Sequence, residues 1–167
     1  PVRGNIREKN PGFMNSLYAK SWKSLLHAEE LKRLCAQYKY EVIFFPHANI
    51  QPYMEDFNVP SWIQCLTHHN VRIQDLLVSA TLMITDYSSV AFEMAYLFKA
   101  VLYYQFDNKE VFSGGHLTQK GYFDYEHDGF GPIVETQDEL FKHFLLYTSP
   151  SPQHRGWPRM PSACREK

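Results

Sequence analysis

The stretch ITDYSSVAFEMA, residues 84–95, joins a short apolar run to a helical pattern. Between the two lies the tetrapeptide Asp-Tyr-Ser-Ser at 86–89, which we call the DYSS turn. Either Ser88 or Ser89 could cap the following helix by accepting a hydrogen bond from a free N–H group. Capping needs only one serine, however. Helix N-termini and hydroxyl groups also receive phosphates, so the turn allows a second interpretation as a phosphate site.

Alternating strand and helix patterns extend outward from the DYSS turn. Apolar runs that predict buried strands lie at 41–45, 82–86 and 100–106. Helical patterns lie at 22–38, 50–57, 74–80, 89–99 and 136–146, the last of which begins with the capping-box pair Thr136 and Glu139. Residues 1–20 and 107–132 predict mostly loop. The alternation predicts an α/β domain whose parallel sheet is covered by helices on both faces.

Polar side chains follow each of the three predicted strands. His47 and Asn49 follow the first strand, the DYSS turn follows the second, and Asp107 follows the third. Ligands of such sheets bind beyond the carboxyl ends of the strands, so a site is expected there. His47 could donate a hydrogen bond to a phosphate oxygen and stabilise a departing nucleotide. The alternative is a partly buried histidine that bonds only to the backbone.

Two carboxylates near the DYSS turn are expected to act differently. Asp86 would repel a phosphate at close range, so we expect it to fix the turn by accepting backbone hydrogen bonds. Glu93 lies four residues after Ser89, on the same face of the predicted helix. A carboxylate there could accept hydrogen bonds from ribose hydroxyls. A solvated surface glutamate is the alternative.

The composition excludes several classes of function. The 167 residues carry 17 basic and 18 acidic side chains, so the net charge of −1 gives no general attraction to nucleic acid or to an anionic membrane. The cysteines form no CxxC pair, and His68 and His69 lack further ligands at metal spacing, so no metal site is expected. No apolar run approaches the roughly 18 residues of a membrane span. Walker, G-x-G-x-x-G and G-x-S-x-G patterns are absent.

The two ends of the chain are expected to lie outside the domain. The chain begins with Pro1 rather than Met, so we interpret 1–21 as a segment left from a truncated preceding region. After residue 144 the content of Pro, Ser and Arg rises and the apolar period ends. We interpret 145–167 as a non-native or disordered tail, because LLYTSPSP and RMPS resemble a translated sequencing adapter. The domain is therefore expected at 22–144.

Three segments together resemble a known family. They read EVIFFPHANIQPY at 41–53, VSATLMITDYSSVAFEMAYLFKAVLYYQFD at 78–107 and KGYFDYEHDGFGPIV at 120–134. Their order is similar to the C-terminal half of the CDP-glycerol:poly(glycerophosphate) glycerophosphotransferase family, which includes teichoic-acid polymerases, primases and related capsule polymerases. The resemblance covers the chain from residue 22 to residue 144, with a trace at PVRGN.

The resemblance implies a fold and a reaction. The domain would be the Rossmann-like C-terminal domain of a GT-B type glycosyltransferase and would hold a CDP-linked donor. A missing N-terminal GT-B domain would bring the polymer acceptor, on its lipid carrier, and the catalytic base. The enzyme would transfer glycerol phosphate from CDP-glycerol to a teichoic-acid or capsule-type polymer and release CMP. The resemblance further implies no cofactor, no nucleic acid partner, and a cytoplasmic location, peripheral on the inner face of a bacterial cell membrane.

The resemblance also implies roles for individual residues. His47 would be catalytic through contact with the donor diphosphate, and Ser88 and Ser89 would bind phosphate. Glu93 stands where the family carries an acidic residue suited to ribose. The remaining substrate-binding residues would be Asn49, Asp107, Gly121 and Arg3, of which Asp107 and Gly121 would shape the cleft. This chain alone is expected to bind the donor without turnover.

The chain departs from the family pattern at two positions. Ala48 follows His47 where the family often has Pro, so the backbone after the histidine is less restricted. Val2 precedes Arg3 where the family usually has Trp.

Two alternatives to this function stay open. The first is a transferase that uses CDP-ribitol or a sugar-phosphate donor for capsule synthesis, since a cytidine pocket would look the same. The second is a non-catalytic α/β interaction domain in which the DYSS turn only caps a helix. That domain would have no affinity for nucleotides, and loss of the capping serine would lower its stability by about 1 kcal/mol without other effect.

Overall fold

The structure is a computed structural model, and it describes residues 9–108 and 123–148. The chain divides into two compact units, Pro1–Ile73 and Gln74–Lys167. We describe each unit by itself. Arg3 and Gly121, two of the predicted site residues, lie outside the described ranges.

The described part of the first unit contains three helices and one pair of parallel strands. The helices are α1 (Leu17–Leu26), α2 (Glu29–Tyr38) and α3 (Met54–Phe57), and 3-10 turns lie at Phe13–Asn15 and Gln51–Tyr53. Strand β1 (Ile43–Phe44) pairs in parallel with β2 (Gln64–Cys65). The core consists of Ala19, Leu26, Phe44, Tyr53, Phe57 and Ile63. His47 thus follows the carboxyl end of a strand whose second residue lies in the core.

The prediction of a single helix at 22–38 is wrong, because the chain breaks at His27 and Ala28. Ala28 has extended backbone angles, with φ −69° and ψ 121°, and directly precedes the acidic first turn of α2. Acidic side chains favour a helix start. The His27 ring donates from Nε2 to the backbone carbonyl of Phe57 over 3.1 Å, which holds the end of α1 at the core.

The second unit contains a three-stranded parallel sheet with the order β3-β4-β5. The elements of its described residues, in chain order, are α4 (Ile73–Ser79, whose first residue closes the first unit), β3 (Leu82–Thr85), α5 (Val90–Tyr96), β4 (Ala100–Tyr104), α6 (Tyr125–Asp128), β5 (Ile133–Val134) and α7 (Gln137–Thr148). The central strand β4 is buried from Val101 to Tyr104. The predicted α/β class with parallel strands is confirmed.

Helices cover opposite faces of this sheet. Successive side chains of a strand point to opposite faces. Tyr103 of β4 packs edge-on against Tyr125 of α6, with ring centroids 5.1 Å apart. The next residue, Tyr104, contacts Gln137 of α7 through its hydroxyl. The prediction of helices on both faces therefore holds for this sheet.

Several short elements differ from the loop predictions or lie where no element was predicted. The 3-10 turn at Phe13–Asn15, the start of α1 at Leu17 and α6 fall in predicted loops, and β2 and β5 fall outside every predicted element. Two-residue strands and a four-residue helix are too short to show a period in the sequence. They form because their neighbours fix them. The N–H of Gln105, for example, donates to the carbonyl of Val134 in β5 over 2.9 Å.

The last helix begins as predicted and ends later. The capping box is confirmed, since the Glu139 N–H donates to Thr136 Oγ1 and the Thr136 N–H donates to Glu139 Oε2, both over 3.3 Å. Donation from the Glu135 N–H to Glu139 Oε2, followed by the hydrogen bonds with Thr136, holds the pKa of Glu139 below its ordinary value. Helix α7 continues to Thr148 and therefore includes the first four residues of the predicted tail. Residues 149–167 lie outside the described ranges.

Lys99 connects two helices of the second unit. Helix α5 ends at Tyr96. Phe98 then lies in the left-handed region, at φ 56°, and the Lys99 N–H donates to the carbonyl of Met94 over 2.9 Å. The Lys99 ammonium then donates to three carbonyls at the end of α4, namely Leu77 at 2.9 Å, Ala80 at 2.6 Å and Val78. A cation at a helix C-terminus satisfies carbonyls that have no partner within the helix.

We expect Lys99→Met to lower the free energy of unfolding by about 2 kcal/mol, because the carbonyls lose a charged donor while the aliphatic stem is kept. Urea unfolding followed by circular dichroism measures this change. Lys32→Met, at an exposed position of α2, is the matched control and should change stability by less than about 0.5 kcal/mol. Equal unfolding midpoints for the two variants would contradict the capping role.

Candidate functional site

The DYSS turn connects the carboxyl end of β3 to the start of α5. Asp86 Oδ1 accepts a hydrogen bond from the Tyr87 N–H over 2.7 Å, as expected for a side chain that fixes a turn. Ser88 Oγ accepts from the Val90 N–H over 3.3 Å. Ser89 occupies the N-cap position of α5, but its hydroxyl makes no capping hydrogen bond. Capping therefore uses Ser88 and leaves the Ser89 hydroxyl available.

The available hydroxyl lies on an exposed part of α5. Ser89 and Glu93 are both exposed, one helical turn apart, whereas Ala91 and Met94 on the other side of α5 are buried. A ligand that meets Ser89 could therefore also reach the carboxylate of Glu93. The predicted pairing of a phosphate at Ser89 with a ribose hydroxyl at Glu93 stays a prediction.

Asp107 reaches the DYSS turn through Tyr87. The Tyr87 hydroxyl donates to Asp107 Oδ1 over 3.0 Å, and the two residues are 20 positions apart in the sequence. Burial, followed by the charge of Asp107, raises the pKa of Tyr87 above its ordinary value. The phenol therefore stays protonated and remains a donor. The contact joins the segments that follow β3 and β4.

Aromatic rings support the turn from within the second unit. The Tyr125 ring makes edge-on contacts with Tyr87 at 5.7 Å, Tyr103 at 5.1 Å and Phe123 at 5.0 Å between centroids. Tyr103 is completely buried, and burial raises its pKa to about 12. Phe92 of α5 continues the cluster through its contact with Phe123 at 4.9 Å. The DYSS turn thus packs against a cluster of aromatic rings.

His47 lies in the first unit, directly after buried Pro46. Its ring is exposed, and Nδ1 accepts a hydrogen bond from the Asn49 N–H over 3.2 Å. The His47 carbonyl accepts from the Ile50 N–H over 2.7 Å, which closes a turn. Since Nδ1 is an acceptor, the neutral ring carries its proton on Nε2. His47 can therefore present an N–H donor to an anion, and the backbone of Asn49 fixes its tautomer.

The predicted site residues thus fall into two groups. His47 and Asn49 belong to the first unit, and the second unit contains Asp86, Ser88, Ser89, Glu93 and Asp107. Within the second unit, the structure brings Asp107 to the DYSS turn by way of Tyr87. Sequence reasoning missed Tyr87 as a site residue. Its position inside the turn was the only signal, and the sequence does not reveal its partner.

A large open pocket lies elsewhere in the second unit. It has a volume of about 540 Å³ and is lined by residues that include Asn108, Tyr125, Glu135, Glu139 and His143, together with Glu126, Thr136 and the segment 131–134. None of the predicted site residues that the structure describes lines it. Its carboxylates would repel a diphosphate, and Glu139 is already bound to backbone N–H groups. The pocket therefore does not suit the predicted donor.

His127 is part of a small polar group at the start of α6, within the stretch 107–132 that was predicted to be mostly loop. It lies in α6, and its ligand atoms fall within 4.8 Å of those of Asp124 and Glu126. Asp124 caps α6 by accepting from the Glu126 N–H over 2.9 Å, and it also lies 3.4 Å from His127 Nδ1. Backbone donation from Glu126 is the main cause that holds the pKa of Asp124 low. These contacts explain why the three side chains lie together, since Asp124 caps α6 and pairs with His127.

The sequence pattern of one protein family matches nearly the whole chain. The CDP-glycerol:poly(glycerophosphate) glycerophosphotransferase pattern covers residues 3–156. The chain belongs to this family. The match includes the DYSS turn, His47 and the residues around α6.

Two relatives of this glycerophosphotransferase-family chain come from Bacillus subtilis (strain 168). The chain is 34% identical over 142 residues to the minor teichoic acid biosynthesis protein GgaB, covering 85% of the chain and 15% of that protein. It is 33% identical over 78 residues to a teichoic acid poly(glycerol phosphate) polymerase, covering 47% of the chain and 10% of the polymerase. The chain thus spans less than a sixth of either relative.

No solved structure matches the family chain significantly. Within the described ranges, none of its helices has both the length and the apolar character needed to cross a bilayer.

Proposed function

We propose that this chain is the donor-binding half of a transferase that moves glycerol phosphate from CDP-glycerol to a growing teichoic-acid or capsule-type polymer and releases CMP. Membership of the glycerophosphotransferase family supports the reaction class. The names of both relatives refer to teichoic acid. The observation that carries the site assignment is the Ser89 hydroxyl, which is exposed beside Ser88 and is not used in capping.

The DYSS turn would receive the diphosphate of the donor. The Ser89 hydroxyl is a neutral donor at the start of α5, where the exposed surface also carries Glu93. Hydroxyl donors suit a phosphate, and a carboxylate suits the hydroxyls of a ribose. The carboxylate of Asp86 accepts a hydrogen bond from the Tyr87 N–H, and this hydrogen bond holds the carboxylate at the turn. The proposed order along α5 is therefore phosphate at Ser89 and ribose at Glu93.

His47 would stabilise the charge of the leaving nucleotide. An acceptor hydroxyl attacks the β-phosphorus of the donor, the bond to the bridging oxygen breaks, and CMP leaves with the negative charge. The Nε2–H of His47 could donate to a phosphate oxygen in that step, because Nδ1 is bound to the Asn49 N–H. Positioning and charge neutralisation supply most of the catalysis in such transfers. The proposal needs no cofactor.

The rest of the enzyme would supply the acceptor side. The proposal places a GT-B architecture around this unit, with a second domain that carries the catalytic base and the lipid-linked acceptor. Peripheral association with the inner face of the cytoplasmic membrane would follow from such an acceptor. The chain alone should bind the donor and show no turnover.

Calorimetric titration of CDP into the 167-residue chain tests the proposal. We expect the paired variant Ser88→Ala/Ser89→Ala to lose at least about tenfold in affinity, since two hydrogen bonds to a charged ligand are removed. Ser79→Ala is the matched control, because its hydroxyl bonds only the carbonyl of Leu76 in α4. Equal affinity of the paired variant and the wild type, with both folded, would reduce the DYSS turn to a helix cap. A panel of CDP-linked donors then identifies which group, glycerol, ribitol or a sugar, the donor carries beyond its diphosphate.

A further inference from the structure

We propose that Tyr87 is a positioning residue for the donor. In this proposal the hydrogen bond from Tyr87 to Asp107 holds the DYSS turn in the conformation that binds the diphosphate. The inference rests on the proposed function of the turn and adds a residue that acts through another rather than on the ligand. Asp107 then shapes the site by anchoring Tyr87.

The first argument is topological. Tyr87 lies two residues beyond the end of β3, and Asp107 lies three residues beyond the end of β4. These strands are parallel neighbours in which Thr85 lies opposite Tyr103. Beyond that register the ladder stops, so the two segments need side chains to keep them together. The Tyr87–Asp107 hydrogen bond of 3.0 Å makes that connection.

The second argument is that Tyr87 is held at both its backbone and its side chain. Its N–H donates to Asp86 Oδ1 over 2.7 Å, and its hydroxyl donates to Asp107 Oδ1. Its ring lies edge-on against Tyr125, which in turn packs on fully buried Tyr103. A residue fixed in this way restricts the backbone that follows it, which is the segment that carries the two serines.

The third argument is electrostatic. The carboxylate of Asp107 would repel a diphosphate at close range if it were free to turn toward it. A protonated phenol bound to Oδ1 keeps the carboxylate engaged in the protein. Loss of the hydroxyl would therefore weaken binding in two ways, by loosening the turn and by freeing a negative charge.

Tyr87→Phe tests the proposal because it keeps the ring and removes only the hydroxyl. We expect the dissociation constant for CDP to rise about tenfold in the 167-residue chain, the usual scale for loss of a hydrogen bond to a charged group. Tyr96→Phe is the matched control, because Tyr96 is exposed at the end of α5 and none of the described contacts of the DYSS turn involves it, so its affinity should stay within about twofold. All titrations are made well below the unfolding temperature of each variant.

A double-mutant cycle assigns the effect to the proposed partner. In an Asp107→Ala background, Tyr87→Phe should cause no further loss of CDP affinity, because the hydrogen bond is already absent. The same loss in both backgrounds would show that Tyr87 acts without Asp107 and would overturn the proposal.

Hydrogen–deuterium exchange without ligand provides a readout that does not depend on CDP. Peptides that cover 86–92 should exchange at least about fivefold faster in Tyr87→Phe than in the wild type, while peptides from α7 stay unchanged. Unchanged exchange at the DYSS turn overturns the positioning role, as does faster exchange with wild-type CDP affinity. If the paired serine variant binds CDP like the wild type, the proposed function fails. The exchange experiment then still decides whether Tyr87 holds the turn.

Discussion

Gly131→Ala is expected to destabilise the second unit by about 3–5 kcal/mol, enough to leave much of the chain unfolded. A Cβ atom on Gly131 would lie 1.7 Å from the carbonyl oxygen of Val101 and 2.8 Å from its carbonyl carbon. Val101 belongs to the central strand β4 and is completely buried, so its backbone cannot move aside. The segment before β5 would have to shift, and the pairing of β4 with β5 would be lost.

Urea unfolding followed by circular dichroism measures this effect. Gly12→Ala is the matched control, because a Cβ atom there would meet only Asn10 Oδ1, at 3.4 Å, in an exposed turn. The control should unfold within about 0.5 kcal/mol of the wild type. A wild-type midpoint for Gly131→Ala would mean that Gly131 does not lie against β4 as the structure places it.

The close approach of Gly131 to β4 gives a physical reason for one glycine in the segment that resembles the family. The segment ending in GFGPIV is similar to the family, yet the sequence alone assigns it no role beyond loop. In the structure, Gly131 lets the chain approach the backbone of β4, and the carbonyl of Pro132 then accepts from the Tyr103 N–H over 2.9 Å. The glycine thus supports the sheet.

The sequence predicts the fold class because its long elements carry clear periods. The runs at 82–86 and 100–106 became β3 and β4, and the pattern at 89–99 became α5. The elements that it missed depend on contacts between distant residues. A two-residue strand such as β5 exists only because β4 lies beside it, and no local pattern contains that information. The break between α1 and α2 likewise depends on the contact of His27 with the Phe57 carbonyl.

The sequence shows the residues proposed for the candidate site but not the contacts between them. A histidine after a strand and two serines before a helix are visible in the sequence, as is a later aspartate. The sequence does not tell which serine caps α5 or that Asp107 binds Tyr87, because the first depends on backbone angles and the second on strand register. Those two facts decide which hydroxyl is available and what holds the turn.

His47→Ala is expected to lower the transfer rate by about 100- to 1,000-fold in a polypeptide that carries both halves of the proposed enzyme. This is the usual cost of removing one preorganised donor from a developing oxyanion. The tautomer fixed by the Asn49 N–H makes Nε2 the donor. His47→Gln, which replaces that N–H with an amide donor, should keep the rate within about tenfold of the wild type. Release of CMP from CDP-glycerol in the presence of acceptor measures both.

A histidine outside the proposed site separates this role from a general effect of histidine loss. His69 is exposed in the same unit, so His69→Ala is the matched control and should transfer at the wild-type rate. If His47→Gln is as slow as His47→Ala, a hydrogen bond alone does not explain the histidine, and proton transfer by the ring becomes the better account. If His47→Ala retains full activity, His47 takes no part in neutralising the leaving group. The two results therefore separate a neutral donor from an acid and both from a residue with no part in the reaction.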